Sequence, residues 1–162
     1  MSYPEPRYLG DGGQISATGR AADAPPDLVR PATDIHYLAT GASTGGDFGL
    51  FRWEMAGPPG GATPHFHRSF TESFYVLDGT VRLYDGRDWI DATPGHFHFV
   101  PAGGIHAFRN ESGAPASMLI LFTPGAPRET YFEGLAELAA SGRELSPEEM
   151  TEFLRQHDQF LV

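Results

Sequence analysis

From Asp34 onward the chain alternates apolar and polar residues in short stretches broken by Gly, Pro, Asp and Asn, the pattern of antiparallel strands with one face on a core. It predicts strands at residues 34–40, 48–55, 72–77, 80–84, 87–92, 96–100, 106–110 and 116–122. In the second, Phe51, Trp53 and Met55 share one face while Arg52 and Glu54 share the other. Asp78-Gly79 and Asp85-Gly86 supply tight turns. Six to eight short strands so punctuated form a sandwich or barrel. Residues 1–33 differ: they are rich in Gly, Pro, Ala and Asp, and Pro25, Pro26 and Pro31 exclude a long helix, so an extended arm is expected. Beyond Pro127 the spacing becomes helical at Tyr131, Leu135, Leu138 and Ala139, with Gly142 as a stop. A second helix opens on the capping box Ser146-Pro147-Glu148-Glu149 and places Met150, Phe153 and Leu154 on one face. The expected organisation is an arm (1–33), a β-barrel (34–126) and a helical extension (127–162) packed outside the barrel or on a partner subunit.

Composition narrows the chemistry. The 162 residues are 40% hydrophobic and 12% aromatic, enough for one sizeable core. There is no cysteine, and all 11 basic residues are arginines. Disulfides, thiolate metal sites, cysteine nucleophiles and lysine Schiff bases are therefore excluded. A net charge of −10 disfavours nucleic acid and anionic lipid and points to a small-molecule partner. The arm contains no helix pair that would read DNA. The longest apolar run, residues 118–122, is too short to cross a bilayer, and the first residues lack the basic and apolar regions of a secretion signal. A cytoplasmic location without membrane attachment is expected.

Two motifs compete as chemistry. Gly41, Ser43 and Gly45 match a nucleophile pattern that requires a strand before and a helix after; here a strand follows, so the segment reads as a hairpin loop. The histidines are more informative, because five of the seven fall between residues 65 and 106. Residues two apart in a strand point the same way, so His65 and His67 can converge on one point. Glu72 joins them if residues 68–71 turn the chain, and His106 on another strand completes a set of three nitrogens and one oxygen. Such a set suits a divalent first-row metal and leaves open positions for water, or for substrate and O2.

These residues lie in two segments that resemble the signature motifs of the cupin superfamily. The first runs from Gly60 through His65-Phe66-His67, Glu72 and Gly79; the second runs from Gly95 through Pro101, Gly103 and His106 to Asn110. The second fits G-x5-P-x-G-x2-H-x3-N at every fixed position. The first fits H-x-H-x4-E-x6-G, although its leading glycine stands one residue closer to His65 than usual. The resemblance covers roughly residues 45–123 and implies a double-stranded β-helix (jelly-roll) barrel. It also implies one divalent first-row transition metal (Fe, Mn, Ni, Co, Cu or Zn) held by His65, His67, Glu72 and His106. Asn110 matches a structural position, so the sequon Asn110-Glu111-Ser112 is not read as a glycosylation site.

Within that superfamily the chain is most similar to small quercetinase-like monocupins. The resemblance implies a dioxygenase acting on an enolic or phenolic, flavonol-like molecule, with Glu72 assisting its deprotonation and O2 as co-substrate. A non-oxidative isomerase, dehydratase or polyketide cyclase uses the same ligands, and a binding protein without turnover is the remaining alternative. His96 and His98 depart from the usual pattern. Alternation sets them opposite Phe97 and Phe99, and an inward His98 would be a catalytic acid/base group. Phe74, Val76 and Phe108 share strand parity with ligands and are expected to wall the substrate pocket. Members of the superfamily that the chain resembles often pair through outer strands and N-terminal arms, so the resemblance implies a homodimer.

Overall fold

The computed structural model describes residues 2–162. Its strands are β1 (Leu28–Arg30), β2 (Thr33–Ala39), β3 (Gly49–Met55), β4 (Gly60–Gly61), β5 (His65–Phe66), β6 (Thr71–Asp78), β7 (Val81–Tyr84), β8 (Trp89–Ala92), β9 (Phe97–Val100), β10 (Ala107–Asn110) and β11 (Ala116–Thr123). Helices α1 (Arg128–Ser141) and α2 (Pro147–Gln156) follow, then a last strand, β12 (Phe160–Leu161). All pairings are antiparallel. One sheet runs β1-β2-β3-β11-β6-β9, a second β4-β10-β7-β8, and β12 pairs with β5. The fold is all-β, a double-stranded β-helix with two helices at its C-terminal end.

Period-two patterning builds the core. β3 and β11 lie side by side and alternate strictly, so Phe51, Trp53 and Met55 meet Met118, Ile120 and Phe122 inside the barrel. Tight turns close the strand ends. Gly79 sits at φ 70° between β6 and β7, and a Cβ there would collide with the Pro115 carbonyl, so the turn requires glycine twice over. Asp85 Oδ1 accepts from the Arg87 and Asp88 amides, an Asx turn that shapes the β7–β8 hairpin. The loop holding Gly41 and Ser43 is likewise a turn, with the Ser43 hydroxyl bonded back to Thr40.

Three features differ from the sequence expectation. The arm does not stay clear of the barrel, because its residues 28–30 form β1 and add an edge to β2. The short strands β4, β5 and β12 carry too few residues for a periodic signal. The helices do not pack outside the barrel. Only residues 124–127 link β11 to α1, so the apolar face of α1 is delivered directly onto the barrel interior. Phe132 lies edge-on to Trp53 at 4.9 Å and to Phe51 at 5.5 Å. The predicted caps are present: Gly142 ends α1 in the left-handed conformation, and the Ser146 side chain and Glu149 form the reciprocal box of α2. No helix is long and apolar enough to cross a membrane among the described residues.

Candidate functional site

Four side chains converge inside the barrel. His65 lies on β5, where its backbone N–H and C=O bond those of His106. The chain leaves β5 through His67 and turns at residues 68–70 so that Glu72, near the start of β6, faces back toward both imidazoles. That turn is tied down by Asp158, whose Oδ2 accepts from the Arg68 and Ser69 amides and the Ser69 hydroxyl at 2.7–3.0 Å. One ligand atom from each of His65, His67, Glu72 and His106 lies within 4.8 Å of the others, and all four residues are buried.

Each imidazole is committed at one nitrogen. His65 Nδ1 donates to the Thr63 carbonyl (2.7 Å), His67 Nδ1 to the Asp158 carbonyl (2.6 Å) and His106 Nδ1 to the Gly104 carbonyl (2.9 Å). Carbonyls only accept, so Nδ1 carries the hydrogen in each ring and Nε2 presents a lone pair inward when the ring is neutral. Glu72 Oε2 stands 3.1 Å from His67 Nε2 and 2.9 Å from His106 Nε2. Lone pairs facing one another at that separation require a cation between them, a proton or a metal. Burial alone would raise the Glu72 carboxyl, but the His106 and His67 rings hold it well below the usual carboxylate range. Burial opposes protonation of His106, yet the carboxylate beside it pushes that ring up. Burial, reinforced by the charge of His106, pushes His65 down to about 4, so it is a neutral donor at pH 7. Three oriented nitrogens and one ionised oxygen fit a divalent first-row ion.

Beside this group lies a cavity of about 630 Å³, of the size that accepts a small organic ligand. His65 and Glu72 reach its wall, which continues over Trp53, Phe108, Ile120 and Phe122. Of the residues expected to wall a pocket, Phe108 does so. Phe74 and Val76 do not: both are fully buried in the core, where the Phe74 ring meets His106 at 6.0 Å and Phe108 at 5.9 Å. His98 faces inward, since Phe97 and Phe99 on the opposite face are exposed, but it is not on the cavity wall. Its ring meets Phe74 at 6.3 Å and His96 at 6.4 Å, so the expected acid/base role has no geometric support.

Residues 53–122 match the family model described as Cupin domain. The chain carries a cupin domain. A curated relative of this cupin is quercetin 2,3-dioxygenase of Bacillus subtilis (strain 168), 32% identical over 113 residues. That alignment takes in 68% of this chain and 32% of the relative, so the chain spans about a third of that protein's length. Among solved structures, KdgF from Halomonas sp. superposes with a TM-score of 0.60 at 16% identity, covering 70% of this chain and 98% of that one. The polyketide cyclase RemF from Streptomyces resistomycificus gives 0.50 at 24% identity, covering 72% and 80%. At those identities the likeness shows the fold alone.

The cavity also has a wall that the sequence did not announce. Arg128, Tyr131, Phe132 and Leu135 of α1, Met150 and Leu154 of α2, and Gln159 beyond it close the side facing the cupin barrel. Helical spacing marked Tyr131 and Leu135 in the first helix, and Met150 and Leu154 on one face of the second, but gave no signal that these residues cover a ligand cavity.

Proposed function

We propose that this cupin is a metal-dependent dioxygenase acting on an enolic or phenolic, flavonol-like small molecule, with one divalent first-row ion per chain held by His65, His67, Glu72 and His106. The observation that carries the proposal is the donor set: three imidazoles fixed through Nδ1 and one ionised carboxylate, two of the four reaching the wall of a largely apolar cavity. The 32% identity to a quercetin 2,3-dioxygenase supports the choice of reaction.

The residues divide the work. Trp53, Phe108 and Phe122 provide flat apolar surface for an aromatic substrate and keep water from it. Glu72 brings an ionised oxygen to the cavity wall, in position to take the proton of a bound enol or phenol. The metal, when bound, supplies Lewis acidity to a substrate oxygen and redox capacity toward O2. In the overall reaction both atoms of O2 enter the organic product, and no external reductant is consumed.

Metal analysis of tag-free protein should find about one divalent ion per chain. His65→Ala combined with His67→Ala should remove it; full metal content in that variant would overturn the ligand assignment. Flavonol consumption followed with and without O2 tests the reaction class. It should stop without O2, whereas undiminished anaerobic turnover would favour isomerisation, dehydration or cyclisation on the same ligands.

A further inference from the structure

The cavity wall contains a buried cation without a direct ion-pair partner. Arg128, the first residue of α1, is only 4% exposed, and no carboxylate lies within ion-pair distance of it among the described residues. Its Nη1 donates to the His157 carbonyl (2.8 Å) and its Nη2 to Gln159 Oε1 (3.1 Å), both neutral oxygens. Its Nε–H is buried with no partner. Four rings surround the guanidinium, Tyr131 closest at 4.3 Å and Phe70, Phe122 and Phe132 at 5.3–5.5 Å. Aromatic faces stabilise a planar cation, but they leave its N–H edge unmet.

Two of five N–H donors are used, and a buried charge without a counter-ion is costly. Arg128 lines the cavity, so a ligand or water there can meet those of the rest that face it. The charge count points the same way. With a divalent ion on three neutral imidazoles and one carboxylate, the metal group keeps a surplus of positive charge, and Arg128 adds to it within electrostatic reach of Glu72 and His106.

We propose that Arg128 is an anion receptor in this cavity, and that the substrate is an organic acid: a flat, apolar molecule bearing a carboxylate or an equivalent ionised oxygen, held at the free edge of the guanidinium. The word substrate rests on the enzymatic proposal above; the binding site itself does not need the metal. A guanidinium, with its N–H groups fixed in one plane, matches such an oxygen better than a lysine ammonium would.

The test compares 2-naphthoate with its neutral counterpart 2-naphthamide by titration calorimetry on the full chain as purified, and again after treatment with EDTA. The acid should bind about tenfold or more tightly than the amide in both samples. Arg128→Gln should erase that preference, and Arg128→Lys should keep part of it. Arg128 also anchors the segment after α2, so each variant is first checked for a cooperative thermal transition. If Arg128→Gln does not fold, the Lys variant and the wild-type comparison still decide. Equal binding of acid and amide, binding of neither, or a preference that survives Arg128→Gln overturns the proposal. A preference lost on chelation alone places the anion on the metal ligands, overturning the Arg128 site and leaving the metal assignment intact. The converse result, an Arg128-dependent preference in protein that binds no metal, removes the enzymatic proposal and keeps this one.

Discussion

The carbonyls of Thr63, Gly104 and Asp158 orient the three histidines through their backbone, so side-chain substitution at those positions acts only by moving the main chain. Asp158 differs from the other two because its carboxylate also ties the 68–69 turn and its backbone sits at φ 53°. Asn tolerates that conformation, so Asp158→Asn isolates the loss of charge. We expect it to lower metal affinity about tenfold, read by competition with a chromophoric chelator, and to cost about 1 kcal/mol of stability after allowance for solvent screening. The pH dependence has a defined sign. Burial would raise the Asp158 carboxyl, but the bonds from Ser69 and Arg68 hold it below its ordinary value. A carboxylate lowered on folding binds fewer protons in the folded state, so its contribution is present above about pH 4 and lost as pH falls through the folded pKa. The stability gap between wild type and Asp158→Asn, measured by urea unfolding, should therefore close below about pH 4. At this scale the four clustered residues were legible in the sequence, His65 and His67 through strand parity and Glu72 and His106 through the two motifs. Their hydrogen-bond partners were not, since a backbone carbonyl has no signature in sequence and Asp158 is 91 residues from His67.

The helices are the elements whose position changes the functional reading. Their caps and periodicity follow from local sequence, and the box at Ser146 is a local device: Ser146→Ala should cost about 1 kcal/mol and leave metal content unchanged. Their placement has another origin. The short link after β11 leaves α1 little choice but to cover the barrel interior, where Phe132 fills the space between Phe51 and Trp53. Phe132→Ala should destabilise by about 3–5 kcal/mol and weaken binding of aromatic ligands, since it removes cavity wall as well as core. Thermal unfolding and naphthoate titration on the same sample separate the two effects; unchanged ligand affinity would argue that α1 serves packing alone. Strand β12 completes this closure by pairing with β5, the strand that carries His65, so residues 160–161 are fastened beside the four-residue cluster.

At the scale of the whole molecule, the outer face of β6 and β9 exposes Tyr75, Leu77, Phe97 and Phe99, and β9 is the last strand of its sheet. Exposed aromatics on an edge strand are a liability unless another surface covers them. We expect a homodimer formed through this face: sedimentation at micromolar concentration should give twice the 17.6 kDa chain mass, and Phe99→Asp should return it to one. A monomeric wild type would reject that assembly. The sequence by itself determined the longer strands and the helix caps, because each is written in spacing over a few residues, and its composition removed thiol and lysine chemistry; two motifs marked the four residues that cluster inside the barrel. Only the tertiary structure decided that α1 and α2 wall the cavity, that Phe74 and Val76 belong to the core, that His98 misses the site, and that Arg128 stands buried without a counter-ion. Periodicity says that a face must be covered; which surface covers it depends on link lengths and on pairings between distant segments.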